Sequence, residues 1–189
     1  VDNIHKRTTK SIPKLVGICN LWRNTKGGFF MNLKIREAIA NDYIDINNLV
    51  VEVHNLHVKN RPDVYLEVDN PLLKERFENL LNSNSTKLFV VEDTNSEELL
   101  AYSIVQIMTQ RNIQLLTPCK FTYIDDFCVK SNYKKNGIGK SLFKYIVDYA
   151  KAEGASSIQL TVCEFNENAI KFYESVGMST RNRKMELYL

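Results

Sequence analysis

Long apolar runs are missing from this chain. None of the stretches in its 189 residues is long enough to span a bilayer, so no membrane role is expected. Paired cysteines are missing as well. Cys19, Cys119, Cys128 and Cys163 lie far apart, and three of them sit in or beside apolar segments. That pattern reads as buried thiols in a reducing, cytoplasmic compartment; it argues against disulfides and against a metal site. Strong charge of one sign is also missing. Lys6, Arg7, Lys10, Lys14, Arg23 and Lys26 face only Asp2 within residues 1–30, a net +5. The whole chain carries +3, so residues 31–189 carry −2. A basic tail on a mildly acidic body makes no case for a nucleic-acid-binding domain. Glycine is scarce after Met31, where only Gly137, Gly139, Gly154 and Gly177 occur.

What is present has the balance of a globular protein: 44% hydrophobic and 25% charged residues. The length suits one domain, and residues 31–189 read as that domain. Residues 1–30 differ. They lack a sustained helical or strand period, and Pro13, Gly17, Gly27 and Gly28 interrupt them. Two readings stand. Lys26-Gly27-Gly28 can be encoded by a bacterial ribosome-binding sequence ahead of Met31, which would make residues 1–30 a translated leader. The other reading is a genuine N-terminal arm.

From residue 32 onward the pattern is regular. Lys34–Ala38 alternates like a first strand. Asn41 or Asp42 caps a helix with Ile44, Ile46, Leu49, Val50, Val53 and Leu56 on its apolar positions, ending before Pro62. Asn70-Pro71 opens a second helix, with the proline in its first turn. Lys87–Val91 and Glu98–Thr109 are strands joined by a turn at Asp93–Ser96, a predicted hairpin. Phe121–Val129 is the next strand. A glycine loop, a helix, a strand at Ile158–Cys163, a helix at Asn168–Val176 and a closing hairpin ending in Met185–Leu189 complete the chain. The mixture of meanders and crossovers is α+β.

The segment from Val129 to Lys140 carries the most chemistry. A strand runs into it, and a helix with Leu142, Phe143, Ile146, Val147 and Ala150 at helical spacing runs out. Gly137 and Gly139 allow a tight turn and close approach of a ligand. The first amides of the helix point outward at its positive end, with Lys134, Lys135 and Lys140 nearby, a site for phosphate or pyrophosphate. The spacing is not a P-loop, whose first glycine is absent. It is not a dinucleotide fingerprint either, since Leu142 stands where a third glycine is needed. Taken alone, the segment is equally a tight turn with exposed lysines. Downstream, Asn166-Glu167-Asn168 opens a helix with Ala169, Ile170, Phe172, Tyr173 and Val176 on its apolar face. From spacing alone, Tyr173 reads as a core tyrosine.

Together the two segments resemble the GCN5-related N-acetyltransferases. The hallmark is Arg/Gln-x-x-Gly-x-Gly/Ala at a helix start, followed one helix and one strand later by Asn-x-x-Ala-x-x-Phe-Tyr-x-x-x-Gly-Phe/Met. Here the first motif is Lys134-Lys135-Asn136-Gly137-Ile138-Gly139 and the second runs from Asn166 to Met178. Lys134 departs from the family's arginine or glutamine and loses its planar fork. The resemblance implies a mixed central sheet of six to seven strands with about four helices, splayed between the fourth and fifth strands. It implies a transferase that moves the acyl group of acetyl-CoA onto an amine. Phe127, Cys128 and Val129 would lie beside the pantetheine arm. The loop from Lys134 through Asn136, Ile138 and Lys140 would hold the pyrophosphate. Asn166, Asn168 and Ala169 would border the coenzyme, and Tyr173 would protonate the departing thiolate. The Val129 amide would face the developing oxyanion. Polyamine-acetylating members carry Glu-Asp-Phe-Phe-Val on this strand, and Asp125–Val129 is similar. That puts Asp125 at the position of the base, with Glu164 as the second candidate.

The stretch from His54 to Tyr65 is expected to border the acceptor, which the sequence leaves as a small-molecule or polyamine amine, or a peptide amine. His54 and His57 lack a third ligand, so no metal site is expected. Assembly as a homodimer is compatible with such a domain. A reading of another class also stands: an acyl-CoA-binding sensor without turnover.

Overall fold

The computed structural model describes residues 17–22 as backbone, and residues 31–110, 115 and 117–189. The expected translated leader or arm lies largely outside them. Gly17–Trp22 (β1) runs antiparallel to Met31–Glu37 (β2), which is followed by helices Tyr43–Asn60 (α1) and Lys74–Leu81 (α2). Strands Thr86–Asp93 (β3), Glu98–Thr109 (β4) and Lys120–Val129 (β5) form an antiparallel meander. Helix Ile138–Ala152 (α3) then crosses to Ser157–Leu160 (β6), which lies parallel to β5, and Glu167–Ser175 is α4. The strands lie in chain order across one mixed sheet, confirming the α+β class.

Each face of the sheet is covered by one helix pair, because strand side chains alternate between faces. On one face Ile46 and Leu49 of α1, Leu72, and Phe77 of α2 pack on Leu88, Val90, Tyr102, Ile104 and Cys128. On the other, Ile138, Leu142, Phe143 and Ile146 of α3 pack on Leu33, Ile35, Phe89, Val91 and Ile124, with Phe172 and Tyr173 of α4 against them. The β3–β4 hairpin forms as expected. The Asp93 carboxylate accepts the Asn95 amide at 3.1 Å and steers the turn.

Several expectations are corrected. Pro71 lies ahead of α2, which begins only at Lys74. The bend lets Leu72 enter the core, and Tyr43 donates to its carbonyl at 3.0 Å. Asp42 precedes α1 without capping it by side chain; its carboxylate accepts the Ile39 amide at 2.8 Å and pairs with Arg36 at 2.7 Å. β6 stops at Leu160 rather than Cys163, because β5 moves away beyond Ile124. Among the described residues no closing hairpin forms. Instead, Glu186 and Tyr188 reach the α1–α2 connection, where Arg61 meets Glu186 at 2.9 Å and Tyr188 donates to Asp63 at 2.7 Å. Among the described residues, 31–189 therefore supply five strands, and the sixth comes from Gly17–Trp22.

Candidate active site

The sheet opens where β5 and β6 part. Their pairing runs from Phe121↔Ser157 to Ile124↔Leu160 and stops, while β5 continues to Val129. A bulge marks the point. Ile104 pairs with Asp126 but Val105 pairs with Ile124, so Asp125 is the extra residue. Amides along a strand face its two neighbours alternately. The Lys130 amide donates to Leu100 of β4 at 2.8 Å, so the Val129 amide faces the gap left by β6.

Above the gap, the chain turns through Ser131–Tyr133 into α3. Glu52 of α1 fixes this turn by accepting from the Ser131 amide and hydroxyl, at 3.1 and 2.7 Å. Glu98 holds it from β4, with Lys130 at 2.5 Å and the Tyr133 hydroxyl at 2.7 Å. Lys135 and Gly137 both have positive φ, 64° and 81°. Gly137 is the N-cap of α3, its carbonyl accepting the Ser141 amide at 3.0 Å with no side chain to cap further, and the amides of Ile138, Gly139 and Lys140 have no intrahelical carbonyl to reach. Lys134, Lys135 and Lys140 are exposed around them, and Asn136 is half-buried. These donors and cations fit a diphosphate. Gly139 also serves packing. A Cβ there would stand 3.3 Å from Phe172 Cε2 and 3.4 Å from Val129 Cγ2, so this glycine lets α3 sit close to α4 and β5.

Within the gap, Tyr173 is half-buried, with its ring 6.3 Å from Phe127 and 5.3 Å from Phe172. Its hydroxyl bonds to none of the described residues. Burial, then the charge of Asp126 and the nearby Cys128, hold this phenol well above its ordinary pKa. The Cys128 thiol is pushed up to about 12, chiefly by burial. Asn166 uses its side-chain oxygen to cap α4, accepting the Ala169 amide at 3.2 Å; Asn168 is exposed.

The three carboxylates near the gap differ. Asp125 is more than a third exposed, lines a shallow cavity with Gln106, Tyr123 and Gln159, and lies 3.8 Å from Arg76. Glu164 is exposed. Asp126 is held tightly: one oxygen accepts the fully buried Tyr102 hydroxyl at 2.5 Å, the other the Phe127 amide at 2.9 Å. Burial raises its pKa, and Asp125 adds to this; Tyr102, the Phe127 amide and His57 counteract it. His57 stands at the far wall, its ring 4.9 Å from Tyr65 and 5.5 Å from Phe165. Its Nδ1 lies 2.8 Å from the Val53 carbonyl within α1, and His54 Nε2 lies 2.8 Å from that of Leu66, which ties α1 to the α1–α2 connection.

A parted sheet with a helix amino-terminus over the opening makes a crevice suited to a phosphate-bearing ligand. The comparison with known proteins makes the class specific. Residues 50–178 match the acetyltransferase (GNAT) family, and the chain belongs to that family. A 78-residue stretch is 32% identical to thialysine N-epsilon-acetyltransferase of Sus scrofa, covering 41% of each chain. Another, of 55 residues, is 34% identical to L-ornithine N5-acetyltransferase of Arabidopsis thaliana, covering 29% of this chain and 24% of that one. These matches thus span about two fifths or less of the relatives' length. In three dimensions the chain is similar to a mutant of the BH1408 protein from Bacillus halodurans, with a TM-score of 0.80 and 34% identity over 82% of this chain and 98% of that one.

Tyr102 and Glu52 were not legible as site residues. Tyr102 follows the apolar residues Leu99 to Ala101 on a strand, and Glu52 reads as one polar position of an amphipathic helix. The one available signal was that a buried tyrosine hydroxyl needs a partner.

Proposed function

We propose that this protein is an N-acetyltransferase that takes the acetyl group of acetyl-CoA and places it on a primary amine of a small, cationic molecule. The observation that supports the reading is the opening between β5 and β6 beneath the α3 amino-terminus, with the ring of Tyr173 6.3 Å from that of Phe127 on β5. Acetyl-CoA supplies an acyl group activated as a thioester. The α3 amides from Ile138 to Lys140, with Lys134, Lys135 and Lys140, bind its diphosphate, and Phe127 to Val129 border its arm. Asn166 borders the arm as well, through the amide nitrogen that its capping role leaves over.

An acceptor ammonium must lose two protons on becoming an amide. Asp126 receives the ammonium and takes the first proton, its raised basicity suiting it to that task. The neutral amine attacks, the N–C bond forms and the C–S bond breaks. The Val129 amide donates to the oxygen that gains charge. Tyr173 gives its proton to the leaving sulfur and is restored by the second proton of the amine. One proton thus ends on sulfur and one in solvent. The charge of Asp126 helps to hold the proton on Tyr173. Once Asp126 is neutralised by the acceptor, that hold weakens, so a cationic acceptor eases proton delivery to sulfur. Asp125 and Glu164, both open to water, are left as relays to solvent and as attraction for cations.

Acetyl-CoA turnover against a panel of diamines, basic amino acids and basic peptides, read as free thiol, tests this function. Thiol release with diamines or basic amino acids is expected. Coenzyme binding without thiol release for any amine would instead mark an acyl-CoA sensor, and release with peptides alone would move the acceptor to proteins.

A further inference from the structure

Asp126 is gripped on both oxygens, and one grip comes from a residue outside the gap. Tyr102 belongs to the middle of β4 and has no exposed surface, its ring packed in the core under α1 and α2. Burying a phenol there needs a partner for the hydroxyl, and an aliphatic residue of the same strand would fill the space without that need. The partner is Asp126 Oδ2 at 2.5 Å. The bulge at Asp125 sets this up, since it puts Asp125 and Asp126 in succession on the α1–α2 face, where Asp125 lies 3.8 Å from Arg76 and Asp126 meets Tyr102. Ser103 completes the fixture, its hydroxyl donating to the Asp126 carbonyl at 2.8 Å. We propose that Tyr102 is a positioning residue, whose hydroxyl aims the Asp126 carboxylate at the acceptor amine.

This inference rests on the proposed role of Asp126. The groups that face this carboxylate are Tyr102 from β4, Asp125 and Cys128 from β5, His57 from α1 and Tyr173 from α4, with Arg76 of α2 acting on Tyr102. Tyr102 stabilises the ionised form of Asp126, as does the Phe127 amide. Without the hydroxyl, Asp126 would bind its proton to higher pH and swing free on one side.

The test is Tyr102→Phe, which deletes one oxygen and preserves the ring. The expected result is a roughly tenfold or greater fall in kcat/KM for the amine, a shift of the acidic limb of the kcat/KM profile to higher pH, and an unaltered dissociation constant for coenzyme A. On an Asp126→Asn background the same substitution should change kcat/KM by less than twofold, because the hydroxyl acts through a carboxylate already removed. An acidic limb that stays in place, or an equal loss on both backgrounds, would overturn the proposal. If Tyr102→Phe does not fold, the wild-type protein labelled at tyrosine Cζ decides by NMR. The Tyr102 resonance should titrate with the midpoint of the acidic limb, and a resonance blind to that midpoint overturns the proposal. That titration is read without substrate, and failure of the wild-type protein to acetylate any amine would fall on the proposed function instead.

Discussion

Alanine at Gly137 should separate the loop's backbone role from its packing role. The residue has φ 81° and ψ −9°, a conformation that costs an L-residue about 1–2 kcal/mol. Alanine also reduces the freedom of the unfolded chain, which offsets about 0.4–1 kcal/mol. The net destabilisation is therefore on the order of 1 kcal/mol, a fall in Tm of roughly 2–4 °C for a chain of this size. If the backbone relaxes to escape the strain, the amides of Ile138 to Lys140 rotate and coenzyme A binds more weakly. Gly139→Ala should behave differently. Helix propensity favours it by about 1 kcal/mol, whereas the contacts at 3.3 Å with Phe172 and 3.4 Å with Val129 add overpacking of about 1–3 kcal/mol. The strain falls on Phe172, next to Tyr173, so kcat should drop more than coenzyme affinity. Thermal melting with calorimetric titration of coenzyme A, followed by steady-state kinetics, reads all three quantities. A Gly137→Ala protein that melts at or above the wild-type temperature and binds coenzyme A equally well would refute the reasoning.

Other expectations follow from the same geometry. Cys128, with its thiol pushed up to about 12, should stay unmodified by iodoacetamide at pH 8 in the native protein, and peptide mass spectrometry would reveal any labelling. Asp126→Asn should raise Tm at pH 7 while activity falls. A carboxyl whose folded pKa is raised weakens the fold above that pKa, and the penalty fades as pH drops towards the unfolded value, so a neutral amide removes it. Phe77→Ala should cost about 3–5 kcal/mol in urea unfolding, because this ring is almost fully buried and joins α2 to the sheet beside Tyr43.

The sequence was most readable where periodicity and local chemistry agreed. The β3–β4 hairpin follows from alternating β-formers around Asp93–Ser96, and α3 from a glycine turn followed by Leu142, Phe143 and Ile146 at helical spacing. The family was legible because two motifs occur at the right separation. Long-range geometry was not. The stop of β6 at Leu160 coincides with a bulge at Asp125, the residue that follows Leu160's partner Ile124 on β5. The C-terminal segment alternates like a strand at Met185, Leu187 and Leu189, yet Arg61 and Asp63 draw Glu186 and Tyr188 away, a pairing between residues far apart in the chain. Nothing in Asp125-Asp126 says that one carboxylate is open to water while the other is gripped by a buried phenol; the bulge and the Tyr102 hydroxyl make that difference.

The most direct test is Tyr173→Phe, assayed for thiol release from acetyl-CoA with the best amine and for coenzyme A binding by calorimetry. The expected result is a kcat lowered about 10²- to 10⁴-fold with an unchanged dissociation constant. A variant that turns over at the wild-type rate would contradict proton delivery from this phenol.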